Sequence, residues 1–233
     1  MANAKEIRLF SSLAIRAPFI GLESDWQHQH PDQPLLIDWN PTSIIEKKMA
    51  AGERADAVIL TVPVMDRAIA EGVIVPESRV ELVNSSIGLA MLPDAQAPDI
   101  SSVEALKSAL LNAKSVAYSL GGASGIYFQT LLKKLGIEDE INARATTIPE
   151  GFTAEQLVKG NADIAVQQIS ELLTVEGIKV IGPLPEAVQK VTSFSGGIFS
   201  NAANPQGAAM LLDTLRSAEA RKAYEAFGLE CRD

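Results

Sequence analysis

Cysteine occurs once in the 233 residues, as Cys231. An intrachain disulfide is therefore excluded, and so is a structural zinc site built on cysteines. This leaves the redox compartment open, because a periplasmic protein need not contain disulfides. Histidine occurs twice and aromatic residues make up 5% of the chain. Basic residues are also scarce, with 20 Lys and Arg against 29 Asp and Glu and a net charge of −9. That balance argues against a nucleic-acid partner, which needs a basic footprint to displace phosphate counterions. No Lys/Arg-rich face is present that would favour an anionic membrane. No apolar run approaches the roughly eighteen residues of a membrane helix. The longest, at 57–65, contains Pro63 and reads as a buried strand, so no membrane insertion is expected. The opening Met1-Ala-Asn-Ala-Lys-Glu6 has no apolar signal-peptide centre. The chain as written reads as cytoplasmic, and as periplasmic if a leader was removed.

What is present is enough apolar material, 47% of residues, for a sizeable core. Apolar strands alternate with amphipathic helices, the pattern of an α/β fold with mixed, mostly parallel sheets. Strands are predicted over 7–10, 35–38, 57–62, 80–83, 88–92, 115–119, 164–167 and 179–181. Ser43-Ile-Ile-Glu46, Ser101-Ser-Val-Glu104 and Thr153-Ala-Glu-Gln156 read as capping boxes at helix starts. Gly52, Gly72, Gly136, Gly160 and Gly228 sit where helices should end. Asn204-Pro205 opens a late helix, with proline where its missing N–H costs nothing. The simplest organisation is two lobes, residues 1–84 plus 198–233 and residues 85–197, the second inserted in the first.

Small hydroxyl residues and glycines fall where strands should give way to helices. Ser11 and Ser12 end the first strand, Thr42 and Ser43 follow the second, and Thr61 ends the third. The Gly-Gly-Ala-Ser-Gly segment at 121–125 follows the strand ending at Ser119, and Ile126-Tyr127 leads into a helix. In open α/β sheets this edge, where strand C-termini meet helix N-termini, is where ligands bind. Its free N–H groups and partial positive charge suit an anion. Ser43 is equally accounted for as a helix cap, and 121–125 as an ordinary turn. The segment matches neither a P-loop nor a dinucleotide fingerprint.

Other constellations are weaker. His28-Gln-His30 with Asp32 could place two imidazoles on one side of an extended segment. Its polarity and Pro31 instead indicate a solvated surface stretch that also holds Asp25 and Trp26, so no metal is expected. No Gly-x-Ser-x-Gly elbow occurs, and a Ser-His-Asp triad has no support. Glu138-Asp-Glu140 reads as a solvated charge run.

Ile7-Arg-Leu-Phe-Ser-Ser-Leu-Ala14 resembles the opening strand and serine loop of the periplasmic molybdate-binding proteins. Thr42-Ser43, the helix through Gly52 and the strand at Ala55-Asp-Ala-Val-Ile59 follow in that family's order. So do Asp66-Arg-Ala-Ile-Ala-Glu-Gly-Val-Ile74, Ser124-Gly-Ile-Tyr127 and Gly160-Asn-Ala-Asp-Ile-Ala-Val-Gln-Gln168. The resemblance spans nearly the whole chain. It implies a type II periplasmic-binding-protein fold whose two lobes close on a ligand in the cleft between them, with no cofactor. By position it implies ligand contacts from Ser11, Ser12, Thr42, Ser43, Thr61, Ser124, Gly125, Ile126, Tyr127 and Gln168.

The chain departs from that family at Gln168, at Thr61-Val62 and at Gly122-Ala123. These departures open the site to a planar carboxylate as well as to a tetrahedral oxyanion such as molybdate. The Gln-Gln-Ile-Ser-Glu171 segment is similar to a divergent branch that includes aconitate isomerase-like proteins. Two functions follow from the resemblance. One is a receptor for a small oxyanion or carboxylate, partnered by an ABC transporter permease if the chain is periplasmic. The other is an isomerase of an unsaturated carboxylic acid. Tyr127 could move a proton only with a pKa well below about 10. A tricarboxylate would also need a cation, for which Arg16 and Arg144 are the candidates.

Overall fold

The computed structural model describes residues 6–233, so all but Glu6 of the N-terminal hexapeptide lies outside the described residues. The chain divides into two compact units, residues 1–84 with 192–233 and residues 85–191.

The first unit begins with β1 (Ile7–Ser12), α1 (Arg16–Gln29), β2 (Leu35–Asn40), α2 (Thr42–Ala50), β3 (Ala57–Thr61), α3 (Val62–Ala70) and β4 (Val80–Ser85). The second holds β5 (Ile87–Met91), α4 (Val103–Asn112), β6 (Val116–Ser119), α5 (Ala123–Leu135), α6 (Glu138–Asn142), β7 (Thr146–Ile148), α7 (Glu155–Val158), β8 (Ile164–Gln168), α8 (Ile169–Leu172) and β9 (Lys179–Pro183). The chain then returns to the first with β10 (Thr192–Ile198), α9 (Pro205–Thr214), α10 (Ala218–Ala226) and β11 (Leu229–Cys231).

The first sheet has the order β11-β4-β10-β3-β1-β2 and the second β7-β6-β8-β5-β9. Strands β2, β1 and β3 run parallel, with β10 antiparallel to β3. In the second sheet β7, β6 and β8 run parallel, and β5 is antiparallel to β8 and β9. The return to the first unit comes at residue 192, not 198, because 192–198 is an interior strand of the first sheet.

Both sheets are covered on both faces, which the period-two alternation of strand side chains requires. On β1, Ile7 and Leu9 join Phe19, Trp26, Leu211 and Tyr224, while Phe10 joins Ile45, Met65 and Phe199 on the other face. On β6 and β8, Val116, Tyr118, Ile164 and Val166 pack against Phe128 and Leu132. The intervening Ala117 and Ala165 meet Leu157 and Leu172. Each large apolar side chain buried this way contributes about 1.5–3 kcal/mol.

Local signals held in part. The glycines expected at helix ends all have positive φ, from 67° to 89°. Asn204 caps α9, accepting the Gly207 N–H. The three capping boxes are corrected. Pro41 precedes α2, so Ser43 is its second residue and not its cap. Ser102, not Ser101, caps α4 by accepting the Ala105 N–H. Thr153 lies ahead of the α7 cap and bonds to β8, its hydroxyl donating to the Val166 carbonyl and to Gln167 Oε1.

The polar stretch around His28 is also corrected, since it is the last turn of α1 and not an extended loop. Trp26 is core, 1% exposed, and its indole donates to the Gln33 carbonyl at 2.8 Å. His30 packs on that indole, and His28 Nδ1 lies 2.7 Å from the Ser24 carbonyl. Among the described residues no group of three His, Cys, Asp or Glu could hold a metal. No helix of the described chain is long and apolar enough to cross a membrane.

Candidate functional site

In the first unit the structure gathers most of the sequence-predicted residues at one sheet edge. Register places Ser12 opposite Asn40 and Ser11 opposite Ile59, so the C-terminal ends of β1, β2 and β3 share that edge. Ser12 turns the chain into a short 3-10 turn, its hydroxyl accepting the Ala14 N–H at 3.4 Å. Ser11 is fully buried and its hydroxyl donates to the Ser12 carbonyl at 3.3 Å. Thr42 and Ser43 are the first two residues of α2. Thr61 directly precedes α3, without a side-chain cap. Thr42 Oγ1 accepts the Thr61 N–H at 3.4 Å, tying two of these helix starts together. Arg16 opens α1, four residues beyond Ser12.

A buried carboxylate holds the opposite, starting end of these strands together. Asp56 is 2% exposed, and its carboxylate accepts the Arg8 N–H at 2.8 Å and the Asn204 N–H at 2.6 Å. It therefore clamps β1 and the start of α9 to β3, a structural role.

In the second unit the corresponding edge is formed by the ends of β6 and β8. Gly122 precedes α5, and Ser124 and Gly125 lie inside its first turn, not in the loop expected for 121–125. The approach is close. A Cβ built on Gly125 would fall 1.7 Å from the Ser119 carbonyl oxygen, and one on Gly122 2.8 Å from the Ser119 hydroxyl. Only glycine lets the helix start press against the strand end, and this brings the Ser119 hydroxyl to the first turn of α5. Ser124 is 1% exposed and Ile126 is 52% exposed.

Two expected side chains have other employment. The Tyr127 hydroxyl donates to the Val188 carbonyl at 2.8 Å, and burial pushes its pKa up. Proton transfer would need the opposite shift. Arg144 donates to the Leu111 carbonyl at 2.6 Å, near the end of α4, and is a structural cap and not a ligand cation.

Gln168 ends β8 and is 2% exposed. Beside it lies the rest of the Gln-Gln-Ile-Ser-Glu171 segment, to which the sequence assigned a resemblance but, beyond Gln168, no site role. Gln167 Oε1 accepts from the Thr153 N–H at 2.8 Å and its amide donates to the Gly151 carbonyl at 2.8 Å. Glu171, three residues beyond Gln168, is 8% exposed. Burial raises its pKa from 4.5 to about 8, opposed by hydrogen bonds from the Gln167 side chain and the Gln168 N–H. No cation figures among the groups acting on it. Three serines of this unit, Ser85, Ser119 and Ser170, are at most 2% exposed and their hydroxyls have no partner. A signal for this corner does exist in the sequence. Two glutamines end an apolar strand, and an acid follows at the third helical position.

A cavity of about 480 Å³ lies elsewhere in the second unit, lined by Met91, Asp99, Ala109 and Asp163 among others. It sits at the starting ends of β6 and β8. Its carboxylates already accept backbone N–H groups from Ser101 and Lys114. Acidic acceptors do not suit an anion, so the strand-end edges are the better candidates.

Residues 7–230 match the model of the bacterial extracellular solute-binding protein family. The chain belongs to that family. It is 37% identical over 187 residues, 80% of this chain and 71% of the relative, to a protein named aconitate isomerase from a Pseudomonas species. Among solved structures it is similar to the periplasmic molybdate-binding protein of Azotobacter vinelandii, with TM-score 0.80, 14% identity, and coverage of 97% of this chain and 100% of that one. It is also similar to a sulfate-binding protein of Mycobacterium tuberculosis H37Rv, with TM-score 0.74, 12% identity, and coverage of 98% and 88%. At these identities the structural likeness carries the fold alone. That fold is the α/β fold of periplasmic binding proteins, as the resemblance implied.

Proposed function

We propose that the protein binds a small di- or tricarboxylate anion through neutral donors at a strand-end edge, foremost that of its second unit. The observation that carries this reading is the α5 start. Free N–H groups of a thirteen-residue helix, the buried Ser124, and the unpartnered Ser119 hydroxyl converge there without a carboxylate among them. An anion supplies what these donors lack, since an unsatisfied buried polar group costs about 1–3 kcal/mol. The first unit's edge also carries hydroxyls at Ser11, Ser12, Thr42, Ser43 and Thr61, with Arg16 opening α1, but there the Ser11 hydroxyl and the Thr61 N–H already donate within the edge. Carboxylate is favoured over inorganic oxyanion by the 37% identical relative and by the exposed Leu120 and Ile126, which flank the α5 start and would suit a carbon skeleton.

A thermal-shift screen of molybdate, tungstate, sulfate and di- and tricarboxylates tests the reading. A ligand at 100 times its Kd adds about 2.7 kcal/mol to stability. A shift with carboxylates supports it, and a shift with molybdate alone assigns the ligand to the oxyanions.

A second reading, isomerisation of an unsaturated carboxylic acid, is favoured by that same relative and by one feature of this chain. Glu171 is a buried carboxyl poised near neutral pH, where a proton-transfer group is most effective. An ABC permease partner belongs only to the receptor form of the function.

A further inference from the structure

Of the buried carboxylates, Asp56 ties β1, β3 and the start of α9 together through two backbone N–H groups. Glu171 also accepts two hydrogen bonds, but both come from its own segment, the Gln167 side chain and the Gln168 N–H. An acid at the third position of a helix commonly accepts the N–H of the capping residue, and the Gln168 N–H does bond to Glu171. That contact needs no burial, and exposed acids make it throughout proteins. Here the residue is 8% exposed with no opposing cation, a costly placement for a charge.

Its surroundings are equally unspent. Ser170 precedes it in the chain. The Ile169 N–H bonds to the Ser86 carbonyl at 2.9 Å, and Ile87 pairs with Gln168, which brings Ser85 level with Ser170. Parallel register of β6 with β8, Val116 with Ile164 and Ala117 with Ala165, carries Ser119 to the level of Gln167. Three buried hydroxyls without partners thus share the strand-end edge with one buried carboxyl.

From this arrangement we infer that Glu171 is the catalytic proton carrier of an allylic isomerisation, acting on an unsaturated carboxylate held by the donors at the ends of β6 and β8. The inference rests on the carboxylate-binding reading above. In its ionised form Glu171 removes a proton from the saturated carbon between a carboxylate and the C=C bond. The C–H electron pair becomes the new C=C bond, and the old π pair shifts onto the far alkene carbon, its charge spread into the attached carboxylate. Hydroxyl and N–H donors stabilise that charge. The Glu171 carboxylic acid then returns its proton to the far carbon. The double bond moves by one position, with no oxidant, reductant or leaving group.

The test uses the whole chain with trans-aconitate, followed by proton NMR in D2O and by calorimetric binding. Wild-type protein is expected to move the double bond, with deuterium entering substrate C–H only as far as the Glu171 acid exchanges with solvent before it returns the proton. Glu171→Gln keeps the shape and hydrogen bonds of the neutral acid, so it should bind with similar affinity and lose turnover by about 10²–10⁴-fold. Glu171→Asp, which withdraws the carboxyl by one methylene, should bind and turn over more slowly than wild type. Wild-type turnover preserved in either variant overturns the inference. Binding of trans-aconitate by wild type without isomerisation overturns it while leaving the binding reading intact. No binding of any carboxylate overturns the binding reading itself.

Discussion

Replacing Glu171 by Gln makes a sharp prediction about stability against pH. Folding raises the carboxyl pKa from its ordinary 4.5 to about 8, chiefly through burial. A group whose folded pKa is raised contributes stability that is fully present below pH 4.5 and is lost as pH rises through about 8. Over that window the folded protein holds a proton that the unfolded chain has released, so wild-type stability falls with rising pH. At about 1.4 kcal/mol per tenfold change in proton affinity, the upper bound is about 5 kcal/mol. Local opening of α8 would relieve part of it. Glutamine does not titrate, so the variant is spared the loss. Wild type and Glu171→Gln should unfold at similar urea concentrations at pH 5. At pH 9 the variant should be the more resistant, with the midpoint gap grown by about 1 M or more. Other groups titrate equally in both proteins and cancel in the difference. A gap that stays constant from pH 5 to pH 9, or that moves in favour of wild type, refutes a buried, proton-holding Glu171.

Gly125→Ala should destabilise the second unit, because the new methyl meets a backbone carbonyl that cannot turn aside. Overpacking of this kind costs about 1–3 kcal/mol or more, read as a lowered Tm with loss of anion affinity. Asp56→Asn turns one of two carboxylate oxygens, each accepting one N–H, into a donor and should cost about 1–3 kcal/mol in urea unfolding without changing ligand selectivity. Tyr127→Phe removes the tie to the Val188 carbonyl and should cost roughly 0.5–1.5 kcal/mol of stability. Its calorimetric affinity for carboxylates should be that of wild type, since the hydroxyl proton is already committed.

The layered α/β architecture was legible because strand periodicity and helix-ending glycines are local features. β10 was missed for an equally physical reason. Its Gly196-Gly197 pair is unlike the apolar alternation of the other strands, yet each glycine is required by close packing. A Cβ at Gly196 would lie 2.7 Å from Leu212 Cδ2, and one at Gly197 2.7 Å from Ile74 Cγ2. That requirement is set by residues remote in sequence. The hydroxyls at strand ends, Ser11, Ser12, Thr42, Thr61 and Ser124, were recognisable from their position before helices. Which of those hydroxyls are already bonded was not, and neither was the burial of Glu171. Trp26 shows the same limit in reverse. Its polar neighbours suggested a surface stretch, but the helix they form turns the indole into the core.

The central claim is that neutral donors at the strand ends hold a small carboxylate anion. Its most direct test is calorimetric titration of trans-aconitate into wild type, Ser119→Ala and Ser124→Ala. Hydrogen bonds to a charged acceptor contribute about 1.5–3 kcal/mol, so saturable binding by wild type should weaken roughly 10- to 150-fold in each variant while Tm without ligand changes little. Equal affinity in all three proteins, or no binding while an uncharged ligand binds, would contradict the claim.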